Sequence, residues 1–455
     1  MSKNLIKDID HFQKLATDLI LDQEEKAISV KINPEDVLKR LNISLEERGV
    51  SDNQLIKDLK DISLNTPKTS SNLFFNQLFG GVNSKAVLGD LISIILNNSM
   101  STYKIAGPMV EVEKEIIRKV CEIINYPKTS GGTFPTGGSM SNFMSLVMSR
   151  DLKDDQIRDH GRSKDLICYT SDTSHYSISK NASFTGIGRK NTRYIETDYR
   201  GEMIVEKLQE AIDNDLKNNK IPILVNATMG TTVLGAIDPV KEISKICKKH
   251  KIWLHIDGAY LGTLIFSKLF NNLTKDIHLS DSFCFNAHKT LGAPLSTSIL
   301  VVKDNDHLLK SFGNEADYLY QTDDSNYNLG QKSFECGRKN NALKMWTLWK
   351  SVGTMGIGEM IEKNYKLANI AYSYVKNNKD YTLFSQKESL SICFNYKNYD
   401  PVDLCTALYN ENKVMVGYGH HKKNKFIRFV CVNRDNSEKD ILNFFKILEN
   451  FADNQ

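Results

Sequence analysis

Residues 221–260 read IPILVNATMGTTVLGAIDPVKEISKICKKHKIWLHIDGAY. The run IPILVNAT is too short for a buried helix and rich in β-branched residues, so it predicts a strand. DPVKEISKICKKH repeats its apolar residues at helical spacing. IWLHIDGAY returns to a short apolar run and predicts a second strand. The same alternation continues from roughly residue 110 to 305, with strands at DLICYTS before this stretch and at SFCFNAH and STSILVVKD after it. Strands that alternate with helices imply a mostly parallel sheet covered on both faces, with its chemistry in the loops at the carboxyl ends of the strands.

Outside this stretch the patterns differ. Residues 1–70 read as an N-terminal helical extension, with Asn33 and Pro34 marking a helix start, that packs on something else. Residues 71–355 form the large domain. Within it, residues 312–332 lose periodicity and turn polar, which predicts a mobile loop. The final stretch, 356–455, alternates strands at YTLFS, SLSICFNY and KFIRFVCVN with helices at DPVDLCTALYNEN and SEKDILNFFKILENF, giving a small α/β domain with an antiparallel sheet.

Composition narrows the function classes. The chain has 455 residues, of which 40% are hydrophobic and 25% charged, with a formal net charge of +4. The basic residues are dispersed, and the densest runs, at 248–251 and 420–425, read as solvated faces, so nucleic acid is not an expected partner. No apolar run is long enough to span a bilayer, so no membrane is expected. The first residues interleave acidic and apolar side chains and do not read as a secretory leader. Eight cysteines are scattered without zinc spacing, which fits reduced thiols in a cytoplasmic enzyme and no metal.

Three features could carry chemistry. GGTFPTGGSMSN is a glycine- and hydroxyl-rich loop that enters an apolar helix; the free N–H groups of a helix start, with Gly138 and Ser139, suit a phosphate dianion, although such a loop also serves as a simple turn. Asp257 ends the strand WLHID, where a carboxylate needs a cation or a protonated ring nitrogen unless it caps a turn. Lys289, in FNAHKT, lies one strand step further on. A solvated strand-end lysine is the plain alternative, but a desolvated amine there would be a nucleophile for a carbonyl. Phosphate cradle, acid and lysine together match the needs of pyridoxal phosphate. His175, after DLICYTS, could lay its imidazole on the cofactor ring, and Thr231 and Thr232 bring hydroxyls to the same edge.

TGGSMSN, SDTSHYSISK, NATMGTTVLGAIDPV, WLHIDGAY, FNAHKT and FECGRKNNALKMW, in this order, resemble the group II pyridoxal phosphate-dependent amino acid decarboxylases. The resemblance runs from about Phe74 to the C-terminus. It implies a fold type I pyridoxal phosphate enzyme, in which Lys289 carries the cofactor's aldehyde, Asp257 meets the pyridine nitrogen, His175 stacks on the ring and Ala259 packs on its other face. Gly138, Ser139 and Asn286 would contact the phosphate, His288 would lie beside the cofactor, and Thr232 would touch the ring side of the site. The resemblance also implies a homodimer with shared active sites, in which residues 334–339 line the partner's site. Tyr327, or alternatively Tyr320, would be the loop tyrosine that protonates the product carbanion.

FFNQLFGG, Phe74 to Gly81, is similar to the segment found in decarboxylases of acidic amino acids. It implies that Gln77 binds the distal acid group and Arg428 a substrate carboxylate. Phe79 stands where the animal glutamate enzymes tend to have a small hydroxyl residue, so a shorter substrate is expected. Aspartate, giving β-alanine, or cysteine sulfinate, giving hypotaurine, is therefore favoured, with glutamate, giving GABA, close behind. The chain departs from the family pattern at Lys104, Gly258 and Ala287. An aminotransferase, a carbon–sulfur lyase or a non-catalytic paralogue would share the same core motifs.

Overall fold

The structure, a computed structural model, describes residues 2–25, 28, 32–161, 164–314 and 325–454. Twelve strands are present among them: β1 Phe74–Phe75, β2 Gly131–Thr133, β3 Leu166–Ser171, β4 Thr192–Ile195, β5 Ile221–Thr228, β6 Trp253–Gly258, β7 Ser282–Asn286, β8 Ser298–Val302, β9 Tyr381–Leu383, β10 Ser391–Tyr396, β11 Met415–His421 and β12 Asn424–Val430.

Seven of them form one sheet in the order β2-β8-β7-β6-β5-β3-β4. The run from β7 to β4 is parallel, and β8 is antiparallel to both β7 and β2. Every residue of β3, β6, β7 and β8 is buried, which is why these segments read as unbroken apolar runs rather than as alternating patterns. Because β3, β5, β6 and β7 point the same way, the residues that follow them gather along one edge.

The remaining five strands make a smaller sheet, β1-β11-β12-β10-β9. It is antiparallel as expected, except that β1 joins β11 in parallel, with Phe74 opposite Met415. Residues just past the helical extension therefore belong to the C-terminal sheet. Phe75 stacks on Phe429 of β12 at 4.3 Å between ring centroids, and Phe429 lies 4.4 Å from Phe444 of the helix Glu438–Asp453. That helix starts with a reciprocal cap in which the Ser437 side chain accepts from Asp440 N–H and the Asp440 carboxylate accepts from Ser437 N–H.

The long helix Ala342–Asn377 joins the two sheets and bends at Gly353, whose φ of 70° is open to glycine at little cost. The N-terminal helix Ser2–Glu25 is tied to the helix Asp52–Leu64 by the exposed ion pairs Lys7–Asp52 at 2.7 Å and Lys60–Asp18 at 2.6 Å, and the buried Lys68 ammonium meets its Asp22 at 2.6 Å. The helix start read at Asn33 is a single 3₁₀ turn, Pro34–Asp36, followed by Val37–Arg40, and the Asn33 side chain makes no capping bond. No helix among the described residues is long and apolar enough to cross a membrane. All eight cysteines are free, and Cys336 alone is exposed. Residues 315–324, including Tyr320, lie outside the described residues.

Candidate active site

Asp257 is on the last turn of pleat in β6, and its two oxygens are held separately. Oδ1 accepts the Ala259 N–H at 3.0 Å and Oδ2 accepts the Asn142 amide at 2.8 Å. Gly258 follows without room for a side chain: a Cβ there would meet the Cys284 carbonyl oxygen at 2.6 Å. That close approach of β6 to β7 accounts for glycine at this departure from the family pattern.

Lys289 does not end a strand. β7 stops at Asn286, and Ala287–Thr290 form one helical turn that lifts the lysine off the sheet edge. Its ammonium makes no ion pair with any described residue. Burial lowers its pKa, the charges of Asp257 and Cys284 work against that, and the Arg428 charge pushes it further down. His175 is likewise lowered by burial, with Asp257 raising and Lys289 lowering its proton affinity. Lys289 thus feels Asp257, Cys284 and Arg428, and His175 feels Asp257 and Lys289, across one crevice. His175 Nδ1 accepts the Ser177 N–H at 3.2 Å, which fixes the ring, and the ring packs 4.2 Å from that of Tyr176.

The glycine-rich loop enters the helix Gly138–Lys153, whose first N–H groups have no helical acceptor. A Cβ at Gly138 would stand 2.9 Å from Ala259 Cβ and 3.1 Å from Asn286 Nδ2, so helix start, β6 end and β7 end converge there. Asn286 Oδ1 is buried without a hydrogen-bond partner, and the Ser139 hydroxyl is exposed while its carbonyl accepts from Asn181 at 2.9 Å. His288 is buried with Nδ1 3.0 Å from the Thr297 backbone, and burial pushes it down to about 4. Helix-start N–H groups, the amide of Asn286, a buried lysine with no ion-pair partner among the described residues and a nearby carboxylate fit a phosphorylated pyridine aldehyde.

The smaller sheet supplies the other wall. Arg428 of β12 donates from one terminal nitrogen to the Thr232 carbonyl at 3.1 Å and from the other to the Asn76 carbonyl at 2.6 Å, and its buried Nε–H has no acceptor. No carboxylate among the described residues pairs with it. Thr232 thus takes part through its carbonyl, whereas the neighbouring Thr231 hydroxyl accepts Ala236 N–H at 3.0 Å.

Three expected residues stand apart within this chain. The Gln77 side chain is exposed and unbonded, although Asn76 beside it touches Arg428, and Phe79 is half-buried, its ring 6.3 Å from that of Phe74. The Tyr327 ring lies edge-on to Tyr103 at 5.6 Å, with the Lys114 ammonium 4.0 Å from its centroid, and contacts none of the crevice residues above. Arg338, in the segment expected to line a partner's site, turns inward instead. Its guanidinium is buried against Glu113 at 2.7 and 2.8 Å and Thr133 at 2.7 Å. That leaves the exposed Phe334, Cys336, Gly337 and Lys339 facing outward.

Two residues of the site were not read from sequence. Asn142 is one helical turn past Gly138, and His255 is two residues before Asp257 and so on the same face of β6. A histidine inside an apolar strand was the available signal.

The model of the pyridoxal-dependent decarboxylase conserved domain matches residues 34–397. The chain belongs to that family. It is 34% identical over 433 residues to the acidic amino acid decarboxylase GADL1 of Xenopus tropicalis, covering 90% of this chain and 84% of that protein. It is 32% identical over 440 residues to human cysteine sulfinic acid decarboxylase, covering 90% and 89%. The crystal structure of mouse CSAD in apo form superimposes with a TM-score of 0.93 at 29% identity, covering 99% of both chains. Tryptophan decarboxylase from Catharanthus roseus shares the fold at a TM-score of 0.91 and 22% identity, covering 100% of this chain and 99% of that one. The protein is therefore a pyridoxal phosphate-dependent amino acid decarboxylase, a carboxy-lyase of fold type I.

Proposed function

We propose that this decarboxylase acts on a small acidic L-amino acid, with aspartate or cysteine sulfinate ahead of glutamate. The observation that carries this reading is Arg428, a guanidinium at the crevice with an unpaired Nε–H and no carboxylate among the described residues to neutralise it. Such a group binds a carboxylate or sulfinate by charge-assisted hydrogen bonds. The names of the relatives, acidic amino acid decarboxylase and cysteine sulfinic acid decarboxylase, point the same way. Phe79 in place of a smaller residue favours the shorter acids, and Gln77 is the proposed contact of the distal acid group.

Pyridoxal phosphate, when bound, supplies a sink for the electron pair left at Cα as carbon dioxide departs. Lys289 would be the amine that holds its aldehyde and frees the product; its lowered pKa enlarges the neutral, nucleophilic fraction. Asp257 would accept from the ring nitrogen. His175 would face one side of the ring and Ala259 the other, while Gly138, Ser139, Asn286 and His288 would hold the phosphate end, with Thr232 at the ring's side. Arg428 and Gln77 turn the substrate so that the bond to the departing carboxylate stands perpendicular to the ring.

Tyr327 donates the proton that replaces carbon dioxide at Cα. Since its ring lies on Tyr103 and Lys114 rather than in its own chain's crevice, the site it completes is that of a second copy. The helix Ser84–Leu96 supports such a homodimer: Leu88, Ile92, Ile94, Ile95 and Leu96 are all exposed, which leaves an apolar element without cover in one chain. Seven buried thiols without a disulfide fit a cytoplasmic enzyme.

The test is to incubate the purified protein and cofactor separately with aspartate, cysteine sulfinate, glutamate and an aromatic amino acid, then identify the amine and measure carbon dioxide. One of the three acids should yield its amine with stoichiometric carbon dioxide and no keto-acid acceptor. Consumption of the aromatic substrate alone would overturn the reading.

A further inference from the structure

Behind Asp257 runs a line of buried hydrogen bonds that no step above uses. The Trp253 indole N–H donates to Ser282 Oγ at 2.8 Å, Ser282 Oγ is 2.8 Å from His255 Nδ1, His255 Nε2 is 3.0 Å from Asn142 Oδ1, and Asn142 Nδ2 donates to Asp257 Oδ2 at 2.8 Å. All five side chains are buried, His255 completely. The line follows from the fold: residues 253, 255 and 257 share a face of β6, Ser282 pairs with His255 across to β7, and Asn142 comes from the helix covering that face.

The chemistry of the two ends sets its direction. An indole N–H can only donate and a carboxylate can only accept. The Asn142 amide must turn its NH₂ to Asp257, and its second N–H goes to Ser177 Oγ at 2.9 Å. Its oxygen therefore faces His255 Nε2, which must carry the proton. His255 Nδ1 is left as the acceptor, served by Ser282 or by Ser145 at 3.0 Å. Burial holds the ring's pKa down at about 4, in keeping with this neutral form. The charged and titratable groups that face it are Asp257 and the Cys284 thiol, 3.9 Å from Nε2.

We infer that His255 and Asn142 are positioning residues for the cofactor: locked as the Nε2–H tautomer, His255 fixes the Asn142 amide, which holds the Asp257 carboxylate aimed at the ring nitrogen. The inference rests on the proposed role of Asp257. Without the His255 donor, the Asn142 amide is free to rotate its oxygen toward Asp257, oxygen against oxygen, and the carboxylate must turn away.

Two measurements test this. In the apo protein labelled with [¹⁵N]histidine, the His255 ring, assigned by its loss in His255→Gln, should show the two nitrogen shifts of a neutral Nε2–H imidazole down to about pH 5. An Nδ1–H ring, or a protonated one at pH 6.5, overturns the inference whatever any variant's cofactor affinity. In parallel, pyridoxal phosphate is titrated into the apo forms. His255→Phe and Asn142→Ala should lose affinity by about 10- to 100-fold, the range found for residues that orient a ligating group. His255→Gln, which keeps a donor toward Asn142, should stay near wild type. A folded His255→Phe protein that binds as tightly as wild type refutes the positioning role. Failure of wild type itself to take up the cofactor would instead refute the reading of the site.

Discussion

Replacing Arg428 by methionine keeps most of the apolar stem and removes the guanidinium. In the structure the group spends one hydrogen of each terminal nitrogen on the Thr232 and Asn76 carbonyls. The Nε–H and the second hydrogen of each terminal nitrogen remain for a substrate. Two charge-assisted hydrogen bonds at about 1.5–3 kcal/mol each, less what water restores, amount to about 3 kcal/mol, or roughly 100-fold in kcat/KM. Arg428→Lys keeps the charge without the fork and should lose about tenfold. A second readout separates this from simple loss of shape. The Arg428 charge lowers the Lys289 pKa, so its removal should let that pKa rise and move cofactor uptake by the apo enzyme to higher pH. Steady-state kinetics with the accepted acid, beside a pH series of cofactor uptake, checks both. A kcat/KM within about threefold of wild type would refute the assignment, since that is under 1 kcal/mol.

Tyr327→Phe should lower amine yield and raise a carbonyl by-product with spent cofactor, because protonation then falls to the wrong carbon; chromatography of products against time shows this, and an unchanged amine yield removes Tyr327 from the role. Gly138→Val places methyls where a Cβ already meets Ala259 at 2.9 Å, an overpacking of about 1–3 kcal/mol that displaces the Asn286 amide, and fluorescence titration should show weaker cofactor binding. His255 and His288 are both held near 4 in the folded chain against 6.5 in the unfolded one. The unfolded state binds more protons between those values, so stability falls as pH drops from 6.5 and levels off below about 4, by up to about 3 kcal/mol per ring. Urea midpoints of the apo protein across this range should decline, and His288→Gln should make the decline shallower. Glu113→Gln strands the buried Arg338 guanidinium, at a cost of about 3–5 kcal/mol, visible as a lower urea midpoint.

The strands at the centre of the large sheet were legible because burial on both faces leaves them as short apolar runs between turn residues. β1 was not. Its two phenylalanines sit in FFNQLFGG, where the eye goes to the substrate-like glutamine, and their partner β11 is more than 300 residues away. β11 itself, MVGYGHH, begins with two buried residues, then alternates half-buried and exposed ones, and leads into the basic run that was read as a solvated face. Lys289 was placed at a strand end, and the turn at Ala287 that raises it depends on contacts with residues 291–297. Arg338 shows the same limit from the other side. In sequence it is one of several charges in a motif, and only Glu113, over 200 residues earlier, reveals that it points into the core.

The crevice has two owners. Asp257, Lys289 and the phosphate end belong to the seven-stranded sheet, whereas Arg428, Asn76 and Phe79 belong to the five-stranded sheet or the segment leading from it. On the proposed roles, the groups for the chemistry and those for the choice of acid thus come from different sheets. A library confined to residues 76–79 could retune the enzyme toward longer or shorter acids without replacing any residue proposed to hold the cofactor.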